Sequence, residues 1–189
     1  MQWQTLGDKL PQTRNPVTRL IGRGVLAMLG WRLEGVFPNR NKFVVALVPH
    51  RSNMDFILTI AVLWGVGLKA SFLMKHTLFW FPLGNLLTAL GGIPIDRRGP
   101  QGLVKQMAEE FNRRPSLLLG ITPEGTRSGV SEIKQGFAQI AAAAQVPVLP
   151  AVLDYKTRTI YLAELIEDTA NVEAVIAQIR GMIVAQVGE

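Results

Sequence analysis

Six consecutive apolar residues, Phe43-Val44-Val45-Ala46-Leu47-Val48, constrain the fold of this chain more than any other stretch. The run is short, rich in β-branched side chains and free of polar alternation, so it predicts a buried strand. Pro49 follows, then His50-Arg51-Ser52-Asn53-Met54-Asp55, and an apolar run that resumes at Phe56 with helical character. Pro49 disfavours an immediate helix, and Ser52 or Asn53 can cap one that starts just after. A histidine and a carboxylate therefore flank a strand-to-helix junction, a common place for chemistry. Five residues of helix turn through about 500°, so His50 and Asp55 meet only if the chain bends between them. The competing account is structural: Ser52-x-x-Asp55 also reads as a capping box, with His50 an ordinary loop residue.

Further strands are expected at Ala70–Met74, Gly92–Asp96, Ser116–Ile121, Val148–Leu153 and Thr157–Leu162, the last two joined by a short polar turn. Helical spacing of apolar residues marks 54–67, 100–113 (Leu103, Val104, Met107, Ala108, Phe111), 133–144 and a final helix carrying Val172, Val175, Ile176, Ile179 and Ile183. Strands alternating with helices predict an α/β or α+β sandwich around one sheet. A single domain suits the 189 residues. We expect residues 1–15 to be loosely held. Residues 16–33 are expected to form a basic amphipathic helix, with Leu20, Ile21, Val25, Met28, Leu29 and Trp31 on one side and Arg19 and Arg23 on the other. Such a helix either lies in a membrane interface or packs on the domain. Phe79, Trp80 and Phe81 read as core aromatics, with a surface for lipid chains as the alternative.

Composition narrows the function classes. No cysteine is present, which excludes disulfides and thiolate metal sites, and with only His50 and His76 as imidazoles no dedicated metal site is expected. Residues 1–40 hold Lys9, Arg14, Arg19, Arg23, Arg32 and Arg40 against Asp8 and Glu34, whereas residues 151–189 are acidic on balance. A basic front end on an apolar chain, of mean hydropathy +0.22, points to an anionic membrane surface or anionic substrate. No nucleic-acid motif accompanies the charge, so no nucleic-acid partner is expected. No signal peptide is expected. The run Phe56–Leu68 is short for a membrane span, and Leu78–Ile95 is broken by Pro82, Gly84, Gly91, Gly92 and Pro94.

Two further segments carry candidate chemistry. Thr122-Pro123-Glu124-Gly125-Thr126-Arg127-Ser128 follows an apolar strand; its proline and glycine shape a tight turn that can present Glu124, Thr126, Arg127 and backbone amides to an anion. Asp96-Arg97-Arg98 ends another short strand and reads as a phosphate clamp, with Asp96 orienting a guanidinium. Solvated charges at a turn are the plain alternative for both. Lys75 and His76 read as an exposed lysine and a structural histidine.

Taken jointly, the motifs are distinctive. His50-x4-Asp55, Ile95-Asp96-Arg97, Pro123-Glu124-Gly125-Thr126-Arg127-Ser128 and Val146-Pro147-Val148-Leu149-Pro150 occur in the order seen in the lysophospholipid (glycerolipid) acyltransferases, the family of 1-acylglycerol-3-phosphate acyltransferase. The chain resembles that family over about residues 43–153. Lys134-Gln135-Gly136 resembles the lysine and glycine that follow its third motif. Pro49 departs from the pattern, replacing a polar residue before the histidine.

The resemblance implies a mixed central sheet flanked by helices, with 1–40 as a basic N-terminal segment carrying an amphipathic helix and 41–189 as the acyltransferase domain. It also implies an O-acyltransferase that moves a fatty acyl group from acyl-CoA or acyl-carrier protein, as co-substrate, to a lysophospholipid hydroxyl, without cofactor or metal. His50 is then the general base and Asp55 its orienting acid. Arg97, with Arg127, holds the acceptor phosphate, and Glu124, Gly125 and Thr126 contribute to the substrate site. The expected location is the cytoplasmic face of the cell membrane, peripheral or monotopic. The competing classes are an acyltransferase for another hydroxyl-bearing lipid, a lipid-binding or transfer module, and a thioester or lipid hydrolase. Head group, acyl-chain length and donor carrier are not written in the shared motifs.

Overall fold

The computed structural model describes residues 5–13, 15–49, 53–95, 100–123 and 133–188. Seven strands form one sheet in the order β1-β7-β6-β2-β5-β3-β4. They are β1 (Arg32–Glu34), β2 (Lys42–Val48), β3 (Ser71–Lys75), β4 (Gly92–Ile95), β5 (Leu117–Ile121), β6 (Val148–Asp154) and β7 (Thr159–Leu162). Every neighbouring pair is parallel except β6 and β7, so the sheet is mixed.

β2 lies near the middle of the sheet. Val44, Ala46 and Val48 face one core, and Phe43, Val45 and Leu47 face the other. Burial on both faces is why the run shows no polar alternation. The first core is closed by α4 (Pro100–Arg113), α5 (Gly136–Ala144) and α6 (Val172–Val187) through Met107, Phe111, Phe137, Ile140, Ile179 and Ile183. The second is closed by α1 (Pro16–Leu29) and α2 (Asn53–Val66), through Leu26, Leu58, Ala61 and Val62. α3 (Leu83–Ala89), preceded by a 3-10 turn at His76–Leu78, links β3 to β4.

The N-terminal region departs from expectation in three ways. Residues 5–13 are tied down: Leu10 is buried, Thr13 N–H donates to the Gly67 carbonyl at 2.8 Å, and Lys69 N–H donates to Pro11 at 2.8 Å. The helix expected over 16–33 stops at Leu29, where Gly30 takes a left-handed φ of 69°. The residues beyond it then form β1, which pairs with β7. Asn15 starts the helix by accepting from the Val17 and Thr18 amides.

The face of α1 is also rotated from the one expected. Gly22 and Leu26 turn inward, and a Cβ on Gly22 would come within 2.5 Å of the Ala61 oxygen and the Gly65 nitrogen. Glycine there allows the backbones of α1 and α2 to close. Arg23 Nε donates to the Gly65 carbonyl at 3.0 Å, where the carbonyl end of α2 attracts a cation. Leu20 and Met28 face out, Met28 at 80 % exposure. The helix therefore packs on the domain and still shows apolar side chains to solvent. The aromatic segment is corrected likewise: Phe79 is half-buried, but Trp80 and Phe81 are 60 % and 83 % exposed and are not core.

Candidate active site

β2, β3, β4, β5 and β6 run parallel, so their carboxyl ends share one edge of the sheet. Open α/β sheets bind ligands outside that edge. The segment beginning at His50 follows β2, the one containing Arg97 follows β4, and the one containing Glu124, Gly125, Thr126 and Arg127 follows β5. These six residues, and Ser52 of the alternative capping box, lie outside the described residues. The described flanks Pro49, Ile95 and Pro123 are all buried or at buried strand ends at this edge.

Asp55 is described, and it is fully buried in the first turn of α2, at 0 % exposure. A carboxylate so placed requires hydrogen bonds and favours the positive end of a helix. Tyr155 Oη donates one to Asp55 Oδ1 from a hundred residues away. The backbone carbonyl of Asp55 accepts from Thr59 Oγ1 at 2.7 Å, within α2.

Tyr155 stands in the turn between β6 and β7, which Asp154 builds. Asp154 Oδ1 accepts from the Lys156 and Thr157 amides at 2.8 and 3.2 Å, and Oδ2 accepts from Thr157 Oγ1 at 2.7 Å. Burial pushes the Asp154 carboxyl up, but the Thr157 hydroxyl, these two amides and the Lys156 charge together hold it below its ordinary value. The Tyr155 ring meets Trp31 edge-on, with centroids 5.1 Å apart and planes at 89°. Trp31 reaches this position because β1 and β7 run opposite to β6, which puts the start of β1 beside the end of β6.

An apolar cavity of about 480 Å³ extends from the same edge, chiefly between the sheet and α2. Leu47, Phe56, Thr59, Phe72 and Gly120 are among its walls. A Cβ on Gly120 would strike the Phe72 ring at 2.9 Å, so the glycine allows Phe72 to lie across β5. Phe72 in turn meets Phe56 edge-on, at 5.7 Å between centroids. Size and lining suit a small amphiphile or an alkyl chain. Thr122, Pro123 and Lys134 also line the cavity, and the Lys134 amide donates to the Pro123 carbonyl at 2.9 Å.

The other singled-out residues fall into place. Val148 and Pro150 of the proline-bearing strand are buried in β6, Pro150 opposite Ala46 of β2. Lys75 is exposed, and His76 Nδ1 lies 3.3 Å from the Ile95 carbonyl oxygen, linking the ends of β3 and β4. Among the described residues no group of three or more His, Asp or Glu side chains gathers as metal ligands. Nothing in the local pattern singles out Tyr155, a lone aromatic in a polar turn. Its relevance depends on β6 lying next to β2, a pairing that local pattern does not encode.

A buried acid thus sits at the carboxyl edge of a mixed α/β sheet, beside an apolar cavity. Residues 32–154 match the Acyltransferase family, and the chain belongs to it. It is 32 % identical to a 1-acyl-sn-glycerol-3-phosphate acyltransferase of Limnanthes alba over 120 residues, which cover 59 % of this chain and 41 % of that protein. A protein of the same name from Limnanthes douglasii is 31 % identical over the same length. The chain thus spans about two fifths of these relatives. Among solved structures it is similar in fold to the 1-acyl-sn-glycerophosphate acyltransferase PlsC of Thermotoga maritima. The TM-score is 0.62 at 21 % identity, over 91 % of this chain and 78 % of that one.

Proposed function

We propose that this chain is an O-acyltransferase that moves a fatty acyl group from acyl-CoA or acyl-carrier protein to the free hydroxyl of a lysophospholipid. The acceptor is 1-acylglycerol-3-phosphate and the product phosphatidic acid. The observation that carries the reading is the burial of Asp55 at the sheet edge from which all three polar motif segments depart, beside an apolar cavity. The names of the Limnanthes relatives support the acceptor.

In this reading His50 removes the proton from the acceptor hydroxyl as its oxygen attacks the thioester carbonyl. Asp55 orients the imidazole and stabilises the cation formed. The tetrahedral intermediate then collapses, the carbon–sulfur bond breaks, and the thiolate leaves with the proton carried by His50. Arg97 grips the acceptor phosphate, with Arg127 beside it, while Glu124, Gly125 and Thr126 shape the glycerol site. The apolar cavity houses an acyl chain. Residues 41–189 form the acyltransferase domain. Residues 1–40, with the exposed side chains of 78–90, seat the protein peripherally or monotopically on the cytoplasmic membrane face. Among the described residues no helix is long and apolar enough to cross a membrane.

The test is a panel of lysophospholipids and other hydroxyl-bearing lipids offered with acyl-CoA or acyl-carrier protein, the products identified by mass. Phosphatidic acid is the expected product. Arg97→Ala is expected to raise the KM of the acceptor about tenfold or more, the range of a lost charge-assisted hydrogen bond, with a smaller effect on the donor. A disturbance confined to Arg127→Ala moves the phosphate to the Glu124–Ser128 segment. Thiol release without acylated acceptor makes the protein a hydrolase. Lipid binding without turnover, indifferent to His50→Ala, makes it a transfer module.

A further inference from the structure

We propose that Tyr155 is a positioning residue for the His50–Asp55 pair, its phenol holding the Asp55 carboxylate in the orientation that the general base requires. The inference rests on the acyl-transfer reading above and extends it to a residue outside every recognised motif.

Both ends of Tyr155 are fixed. Its backbone belongs to the turn clamped by Asp154, whose two carboxylate oxygens bind the Lys156 and Thr157 amides and the Thr157 hydroxyl. Its ring rests edge-on against Trp31. Trp31 is itself buried and its backbone is anchored, its amide N–H donating to the Leu26 carbonyl at 2.9 Å, while the amide of the next residue, Arg32, donates to the Arg158 carbonyl at 2.8 Å. A phenol has few torsions, so a clamped backbone and a braced ring define where the hydroxyl points, and it points to Asp55 Oδ1. Such double support is what precise placement of a reacting group needs.

The chemistry follows from the charge states. Near neutral pH a phenol is protonated and a hydrogen-bond donor, whereas a carboxylate accepts at both oxygens. The phenol and an imidazole can therefore share Asp55. The phenol on Oδ1 fixes the plane of the carboxylate and leaves it further acceptor capacity. Asp55 then stabilises the imidazolium without taking its proton, which is the role an orienting acid plays beside a histidine base.

Tyr155→Phe tests this, because it keeps the ring against Trp31 and removes only the hydroxyl. We expect kcat to fall about tenfold while the KM values of acceptor and donor stay within about twofold. We also expect the acid limb of the kcat/KM profile to move to higher pH. An Asp55 carboxylate without the phenol pulls harder on the imidazolium, raises the histidine pKa, and delays formation of the neutral base as pH rises. Rates are normalised to the folded fraction read from a circular-dichroism melt. A Tyr155→Phe enzyme with unchanged kcat and pH profile per folded molecule overturns the assignment, as does a loss of activity that only follows a lower folded fraction. Asp55→Asn measured alongside separates two failures. A fully active Asp55→Asn removes the His50–Asp55 pair itself. An inactive Asp55→Asn beside a wild-type-like Tyr155→Phe removes only the role of Tyr155.

Discussion

Asp154 shows how one side chain links folding to the site. It is buried at 5 % exposure, yet its carboxyl is held below the ordinary value because three donors converge on it. A depressed pKa in the folded state means that the stabilisation is present above the unfolded value of ~4 and is lost as pH falls through the folded pKa. Asp154→Asn is therefore expected to be less stable than the wild type at pH 7, with the gap closing as pH drops below about 4. Thermal melts of both proteins across that range check it; a gap independent of pH contradicts the charge-dependent clamp. Because this turn carries Tyr155, the same protonation loosens the brace on Asp55. The chemistry at 154–158 was open to reading only as a short polar turn. Asp154 and Thr157 are only three residues apart, but the partners of Tyr155, which are Asp55 in α2 and Trp31 between α1 and β1, are far away in sequence.

At the scale of elements, most of the sheet was legible. β2, β5 and β6 are near-continuous apolar runs because each is covered on both faces, and α4, α5 and α6 show their helical spacing because one side of each is wet. α1 was not legible in the same way. Its inward face combines Leu26, Val25 and Leu29 with Gly22 for close approach and Arg23 at the end of α2, while Leu20, Ile21 and Met28 of the expected apolar face stay exposed. Periodicity that equates apolar with inward places Val25, Leu29 and Trp31 correctly and misses that Leu20, Ile21 and Met28 of this helix face out. Its outward residues, with Ile21 and Val25 beside Phe56, Ile57 and Trp64 in an apolar groove of about 180 Å³ between α1 and α2, suit a lipid surface. Leu20→Glu with Met28→Glu is expected to reduce co-sedimentation with anionic vesicles about tenfold or more, since each apolar side chain contributes ~1.5–3 kcal/mol on burial. Stability should change by no more than about 0.5 kcal/mol per site, as is usual at the surface. Unchanged vesicle binding would pass attachment to Trp80 and Phe81. Deleting residues 1–33 is a poorer probe, because it removes Leu26 and Trp31 from the core and cuts into β1.

For the whole molecule, the sheet order brings together what the sequence keeps apart. β2, β4 and β5 are separated by long stretches of chain, but as parallel strands their carboxyl ends share one edge, where the first turn of α2 buries Asp55 and the cavity begins. The family could be read from motif order, whereas the cavity and the second support for Asp55 arise only from strand neighbours. The central claim is that this edge performs acyl transfer by a histidine base held by Asp55. The most direct measurement is the rate of acyl transfer from thioester donor to 1-acylglycerol-3-phosphate by the wild type, His50→Ala and Asp55→Asn, each confirmed as folded. Asn preserves the shape and capping ability of Asp55 but not its charge. The account predicts phosphatidic acid from the wild type and a loss on the order of 10²–10⁴-fold in both variants. Transfer at the wild-type rate by folded Asp55→Asn and His50→Ala would contradict it.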